Sequence, residues 1–490
     1  DLVQPGAEVI LEGLGVNLTD PADVFSVRVN PGVNRAYLDN TLREDGRLRI
    51  ATGVSGLVSY RGDQFPDTYQ SDVFVPEVAG NVVAQFAMSE EGMALKASQR
   101  LYDDEKWGQR DFLGSTDERF RPVDTMNGPD GALYIIDMYR GIAQDVYYMT
   151  DELREQVFQR ELETPIGLGR IWRVRHTEGK AERAYPNLAE ASNEELIAAL
   201  SNANGWVRDT AQRLLLARDG DLTRALADVA LAALASDDNT IPALHALWTL
   251  QGRGELQREL VLELAGSNRP QLQMQALRAG HSLLEVTDFL GLQALLLEEP
   301  ADESVTADAA VQEALSMQLA FAMTDHAANA DVRQVLAELL TADLASPYVR
   351  QAVVRAVAGQ ELDFLGEILV LEQLALASPG AQKVLIALSN NAYRNIRGDL
   401  TSKELANPEL LDLLALAASR TGDLAWQQLA MLTGMEAVAI SQDFVPAMLE
   451  GPPPIFADGS VGEDNPLWNA RIAARVSFTW PGDELALGIT

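Results

Sequence analysis

The apolar residues of this chain change period near Arg175, and that change rules out a single uniform fold. Upstream, short extended runs alternate with turns; downstream, apolar residues recur at helical spacing. The stretch from Phe120 to Val174 shows the upstream pattern most clearly. In GPDGALYIIDMYRG (128–141), Gly128, Pro129, Asp130 and Gly131 supply turn chemistry, with glycine wherever φ must be positive. An apolar run from Leu133 to Ile136 follows, and Asp137 stands at its end. GLGRIWRV (167–174) adds a short strand, Ile171 to Val174, with Arg170 and Arg173 set against apolar neighbours. Strand–turn units of this kind build propeller blades.

Residues 1–175 predict an all-β sheet module with turns every ten residues or so. Asp23 to Val29 alternates loosely, and Asp72–Pro76 with Asn81–Phe86 reads as a strand pair. The acidic and apolar spacing from Asp145 to Glu161 predicts one inserted helix. At roughly 45–50 residues per blade the module holds about three blades, fewer than the four a closed propeller needs. The expectation is therefore the C-terminal part of a truncated propeller, with blades upstream. A linker at 176–190 leads to a helical array at 191–450. There Val207, Ala211, Leu214 and Leu215 form one stripe, and Val349, Ala352, Val353, Ala356 and Val357 another. Further helices are expected near Ile241, Gln271, Val311 and Ala381, with breakers such as Ala203-Asn204-Gly205 and Ser346-Pro347 before them. A repeat of this length predicts a HEAT/armadillo-like α-solenoid. Residues 451–490, rich in Gly and Pro, read as a cap and a linker toward a further C-terminal domain.

Charge and composition narrow the function. The net charge is −34, with 18 basic against 29 acidic side chains in residues 1–175 and 20 against 43 beyond. Such a surface repels phosphate backbones, so nucleic acid is not an expected partner. It suits a saline setting or the docking of a basic redox protein. The absence of cysteine excludes disulfides, zinc–thiolate sites, Fe–S clusters and a covalently attached haem c within these residues. No window is apolar enough for a membrane span. The chain begins at Asp1 without an initiator Met, and reads as a piece of a longer protein.

SYRGDQFPDTYQSDVFVPEVAGNVV (59–83) resembles a segment of the glucose/sorbosone dehydrogenase-like propellers. RFRPVDTMNGPDGALYIIDMYRG (119–141), with LGRIWRV, is similar to the last blade of the large bacterial "membrane-bound dehydrogenase" proteins. NANGWVRDTAQRLL (202–215), ALHALWTLQGRGEL (243–256) and FTWPGDELALGIT (478–490) resemble their first repeats and the stretch before their haem module. The resemblance implies a propeller joined to HEAT-like repeats and then to a c-type cytochrome domain outside this chain. It implies an extracytoplasmic or periplasmic protein, membrane-associated through segments not present here. It would oxidise a sugar or alcohol with pyrroloquinoline quinone (PQQ) and Ca²⁺ in the complete propeller, passing electrons to haem c. The rival expectation is a non-enzymatic propeller–solenoid scaffold that binds polysaccharide or protein.

The resembling dehydrogenases use a His base at the propeller mouth. His176, His245, His281 and His326 all lie beyond the β module, so the catalytic base is unknown and expected in blades upstream. His176 reads as an exposed linker residue and His245 as a packed residue between repeats. Cofactor-facing candidates are Asn34 and Arg35 after Pro31-Gly32, Arg61 and Asp63 around Gly62, and Arg140; Asp137 is the candidate Ca²⁺ ligand. The plainer alternatives are a turn-stabilising pair at Arg61 and Asp63, a turn-capping Asp137, and a buried ion pair among Asp117, Arg119 and Arg121. If the functional reading holds, Arg61, Asp63, Asp137 and Arg140 share one face of the module.

Overall fold

A computed structural model describes residues 23–29, 41–179, 186–236, 240–296, 309–398 and 408–441. The described residues divide into two compact units, one ending at residue 280 and the other starting at residue 281.

The first unit opens with antiparallel sheets. Strands β1 (Val58–Ser59), β2 (Val73–Glu77), β3 (Val82–Glu91) and β4 (Ala94–Arg100) run in sequence order as a meander. β5 (Tyr102–Asp104) and β6 (Gly108–Arg110) form a separate hairpin, and β7 (Leu113–Gly114) pairs with the start of β3. In that hairpin Asp104 accepts from the amides of Lys106 and Trp107, and Gly108 supplies a φ of +76°. β8 (Pro122–Asn127), β9 (Leu133–Asp137) and β10 (Arg170–Val174) make a three-stranded sheet with β9 in the middle. A bulge at Val123 shifts its register, so Pro122 faces Asp137 while Asp124 faces Ile136. No sheet closes on itself among the described residues.

Tyr60, Phe65, Phe74, Val83, Leu133 and Ile135 form the core of the β part, drawn from both main sheets. Tyr60 and Phe65 stack at 4.6 Å between ring centroids. The expected insertion is helix α1 (Asp151–Gln159), capped by Thr150 and anchored by Leu153 and Val157 against Leu162.

The β part departs from about three four-stranded blades. Residues 23–29 and 41–57 contribute only isolated bridges, such as Asp23 to Ile50 and Val29 to Arg47. Side chains take the carbonyls that a ladder would use: Arg43 donates to Val24 O (2.9 Å), and Arg47 to Ser26 O and Trp107 O (both 3.2 Å). The expected ion pair among Asp117, Arg119 and Arg121 is also absent. Buried Arg121 instead donates to the carbonyls of Val78, Arg140 and Gly141, and Arg119 to those of Glu161 and Thr164. His176 is no exposed linker residue. Gln64 brackets its backbone, donating to His176 O (3.1 Å) and accepting from His176 N (2.7 Å), while the ring lies 5.5 Å from Tyr69.

Helices α2 (Asn193–Ala199), α3 (Gly205–Ala217), α4 (Thr223–Ala232), α5 (Thr240–Arg253), α6 (Arg258–Ala265) and α7 (Pro270–Gly280) complete the unit. Each packs on its neighbour in sequence or on the next but one, so α3, α5 and α7 lie side by side. Ser192 and Glu195 form a capping box on α2, and Asn204 caps α3. The stripe predicted on α3 is buried at Val207, Ala211 and Leu215 and half-buried at Leu214.

In the second unit α8 (Val286–Leu296), α9 (Ala309–Ala322), α10 (Ala330–Ala342), α11 (Pro347–Ala356), α12 (Glu361–Ile368), α13 (Pro379–Gly398), α14 (Pro408–Ala418) and α15 (Ala425–Ser441) repeat the packing scheme. Ser346 caps α11, Pro347 sits in its first turn, and the predicted stripe from Val349 to Val357 is buried throughout. Arg333 joins α10 to α12 by a bidentate pair with Glu367 (2.8–3.0 Å). The chain is thus antiparallel sheets followed by helices, as expected. The cap expected at 451–490 lies outside the described residues.

Candidate functional site

The RGDQF loop is wrapped round one hydroxyl group. Tyr60 is fully buried; its Oη donates to Gly131 O (2.6 Å) and accepts from the amides of Gln64 (3.1 Å) and Phe65 (2.8 Å). Burial, with help from Asp63 and Asp130, pushes the phenol up to about 12, against the pull of those two amides. Gly62 is required by close approach: a Cβ there would meet Gly131 O and come 2.8 Å from the Tyr60 ring. Asp63 is buried beside Gly131, so RGD and GPDG, 65 or more residues apart in sequence, are one packed unit.

That unit is bolted to the first helices. Asn204 accepts from Trp206 N (3.0 Å) as the cap of α3 and donates to Gly128 O (2.9 Å) and Pro129 O (3.2 Å). Gly205 N donates to Arg61 O (2.7 Å), and the Arg61 guanidinium pairs with Asp209 on α3. Asn204→Ala is expected to cost about 2 kcal/mol, the cap plus its bonds to Gly128 O, which retains only Gly131 N, and to the half-buried Pro129 O. Urea denaturation checks it. Asn204→Ser, which restores only the cap, should recover about half.

A second network closes the far end of β9. The Asp137 side chain is fully buried and accepts from Arg121 N (2.8 Å), Tyr139 N (2.9 Å), Arg170 Nε (2.9 Å) and Trp172 Nε1 (3.1 Å). Arg170 lies over the rings of Tyr139 (3.9 Å) and Trp172 (4.7 Å). Tyr139 has a φ of +49°, a strained conformation for an aromatic residue that its bond to Asp137 holds in place. A carboxylate offers about four acceptor positions, and here all are taken. Asp137 therefore does not fit a Ca²⁺ ligand in this arrangement. Arg140 lines an open cleft of about 470 Å³ with Gln144, Asp145, Gly167 and Gly169. Its guanidinium makes no ion pair among the described residues.

The four residues expected on one face fall into two groups. Arg61 and Asp63 sit by the turn that starts β9, while Asp137 and Arg140 sit at its end, some ~20 Å along an extended chain. The reason is topological: each residue follows or precedes a strand, but a strand has two ends. Asn34 and Arg35 lie outside the described residues.

The structure brings together a set that the sequence did not single out. On α3 and α5, Gln212 Oε1 and His245 Nδ1 are 2.7 Å apart, and on α5 and α7 Trp248 Nε1 donates to Gln275 Oε1 at 3.0 Å. All four side chains are half-buried. Burial lowers the His245 pKa, reinforced by Arg208 and Arg61 and opposed by Asp209, so the ring is neutral at pH 7. Arg61 and Asp209 mark where this seam meets the β part. The helical spacing of Gln212 from Asp209, and of Trp248 from His245, was the signal available in the sequence.

Residues 15–178 match a family model described as a domain of unknown function (DUF7133). The match covers a third of the chain and stops where the sheets end, before α2. No curated protein and no solved structure matches the chain. Among the described residues no helix is long and apolar enough to cross a membrane.

Proposed function

We propose that this chain is the rigid junction of an extracytoplasmic dehydrogenase-like redox protein, oxidising a sugar or alcohol and passing electrons to a c-type haem domain outside the chain. In this reading the sheets are the closing blades of a β-propeller, and the helices are a HEAT-like array. The observation that carries the junction role is the commitment of the strand-end polar groups. Asn204, the Gly205 amide and the Arg61–Asp209 pair lock blade to helix, Tyr60 holds the loop that carries Arg61, and Asp137 is filled by four donors. The edge strand β10 supports the propeller reading. It exposes Ile171 (65%), apolar surface on an edge strand of the type that a neighbouring blade covers. The redox chemistry rests on the resemblance of the 59–83 and 119–141 segments, and its catalytic base lies elsewhere in the complete protein.

The test compares the complete protein with the 490-residue chain. Both are supplied with PQQ and Ca²⁺, a panel of sugars and alcohols, and a soluble dye as electron acceptor. Dye reduction by the complete protein alone is the expected result. Turnover by the isolated chain overturns the junction role. No turnover by the complete protein on any substrate overturns the redox reading and leaves the non-enzymatic scaffold.

A further inference from the structure

The geometry points to the seam across α3, α5 and α7 as a binding site for a neutral oligosaccharide. This goes beyond the redox reading and does not depend on it. Four planar side chains, Gln212, His245, Trp248 and Gln275, line three helices that lie side by side. Each is oriented by a bond to its neighbour, and each amide or imidazole retains one further polar atom. Gln212 Nε2, His245 Nε2 and Gln275 Nε2 have no protein partner among the described residues. Groups in that state present donors and an acceptor in fixed directions, so little ordering entropy remains to be lost on binding.

The chemistry selects the occupant. Amide and imidazole edges match the donor-and-acceptor character of sugar hydroxyls, and the half-buried Trp248 indole offers an apolar face to the C–H side of a pyranose ring. The Arg61–Asp209 pair at the end of the seam is about half exposed, and it offers a donor and an acceptor with no net charge. His245 adds none, being neutral. A chain of net charge −34 repels polyanions, which disfavours uronic-acid or sulfated glycans. With helices packed 8–10 Å apart, the three-helix seam spans roughly 16–20 Å, room for a short oligosaccharide rather than a single sugar.

The experiment is calorimetric titration of the 490-residue chain with neutral tetrasaccharides of the gluco-, manno- and chito- series, alongside an anionic uronate tetrasaccharide. No electron acceptor is present, so the outcome is separate from that of the dye assay. A neutral tetrasaccharide should bind and the uronate should not. Gln212→Ala and Gln275→Ala should each weaken binding about tenfold, as loss of an oriented hydrogen bond does, with the unfolding midpoint nearly unchanged. Trp248→Phe keeps the ring but not the indole N–H, and should weaken binding less than Trp248→Ala. Absence of binding to any neutral tetrasaccharide, preference for the uronate, or full binding by both Gln variants overturns the proposal.

Discussion

Asp137→Ala is expected to destabilise the first unit by about 4 kcal/mol, the size seen when one partner of a buried ionic network is removed. Four donors lose their acceptor at once: the amides of Arg121 and Tyr139, the Arg170 guanidinium and the Trp172 indole. Arg170 is 39% exposed on its side chain and regains some water, whereas the Arg121 amide is buried and does not. The variant also releases Tyr139 from its positive φ, since the bond to Asp137 is what holds that turn. For a unit of this size the unfolding midpoint should fall by about 10 °C. Asp137→Asn is the informative companion. It keeps the shape but turns an N–H₂ toward Arg170 and Trp172 or toward the two amides, so it should lose most of the same stability. If Asp137→Asn is as stable as wild type in thermal unfolding, the four-donor network is not what holds the end of β9. If Ca²⁺ raises the midpoint of wild type but not of Asp137→Asn, the carboxylate is a ligand after all.

Much of this architecture was legible in the sequence because it rests on local rules. The turn at Gly128 to Gly131, the strand pair 72–86, the inserted helix and the stripe on α11 all follow from turn chemistry and period. The blade count failed where side chains displaced backbone pairing: no local rule says that Arg43 and Arg47 will hold the carbonyls of Val24 and Ser26. The surroundings of the site residues were hidden for a different reason. Asp137 carries the same turn-closing pattern whether its carboxylate is free or filled, and only the register of β10, which sets Arg170 directly across from Asp137, decides between them. His245 is packed between repeats, as its helical face suggests, but its partner there could not be read from one helix alone. Its bond to Gln212, 33 residues away, is a tertiary fact.

The Tyr60 hydroxyl should make the stability of the first unit fall between pH 10 and pH 12. It serves three backbone groups of the RGDQF loop and the GPDG turn, so Tyr60→Phe takes the acceptor from the Phe65 amide and leaves the Gln64 amide and Gly131 O only their mutual 3.4 Å bond. A loss of about 3 kcal/mol is expected near neutral pH. The sign of the pH effect follows from the pKa. Burial raises the phenol from 10 to about 12 in the folded state, so folding favours the protonated form. That contribution is complete below pH 10, where both states are protonated. It drains away as the unfolded phenol ionises first, and is gone once pH passes about 12. A rise of this size corresponds to roughly 3 kcal/mol over the whole window, set by the burial that opposes the phenolate and not by the hydrogen bonds that the deletion removes. Urea denaturation of wild type and Tyr60→Phe at pH 8, 10 and 11.5 measures it, and the gap between them should narrow with each step. Tyr102, also raised chiefly by burial, titrates in both proteins and cancels from the difference. A gap that stays constant to pH 11.5 would mean that the phenol is not the proton-holding centre of the loop. In that case Gly62, whose missing side chain lets the loop close on the ring, is the residue that sets its conformation, and Gly62→Ala should then cost more than Tyr60→Phe.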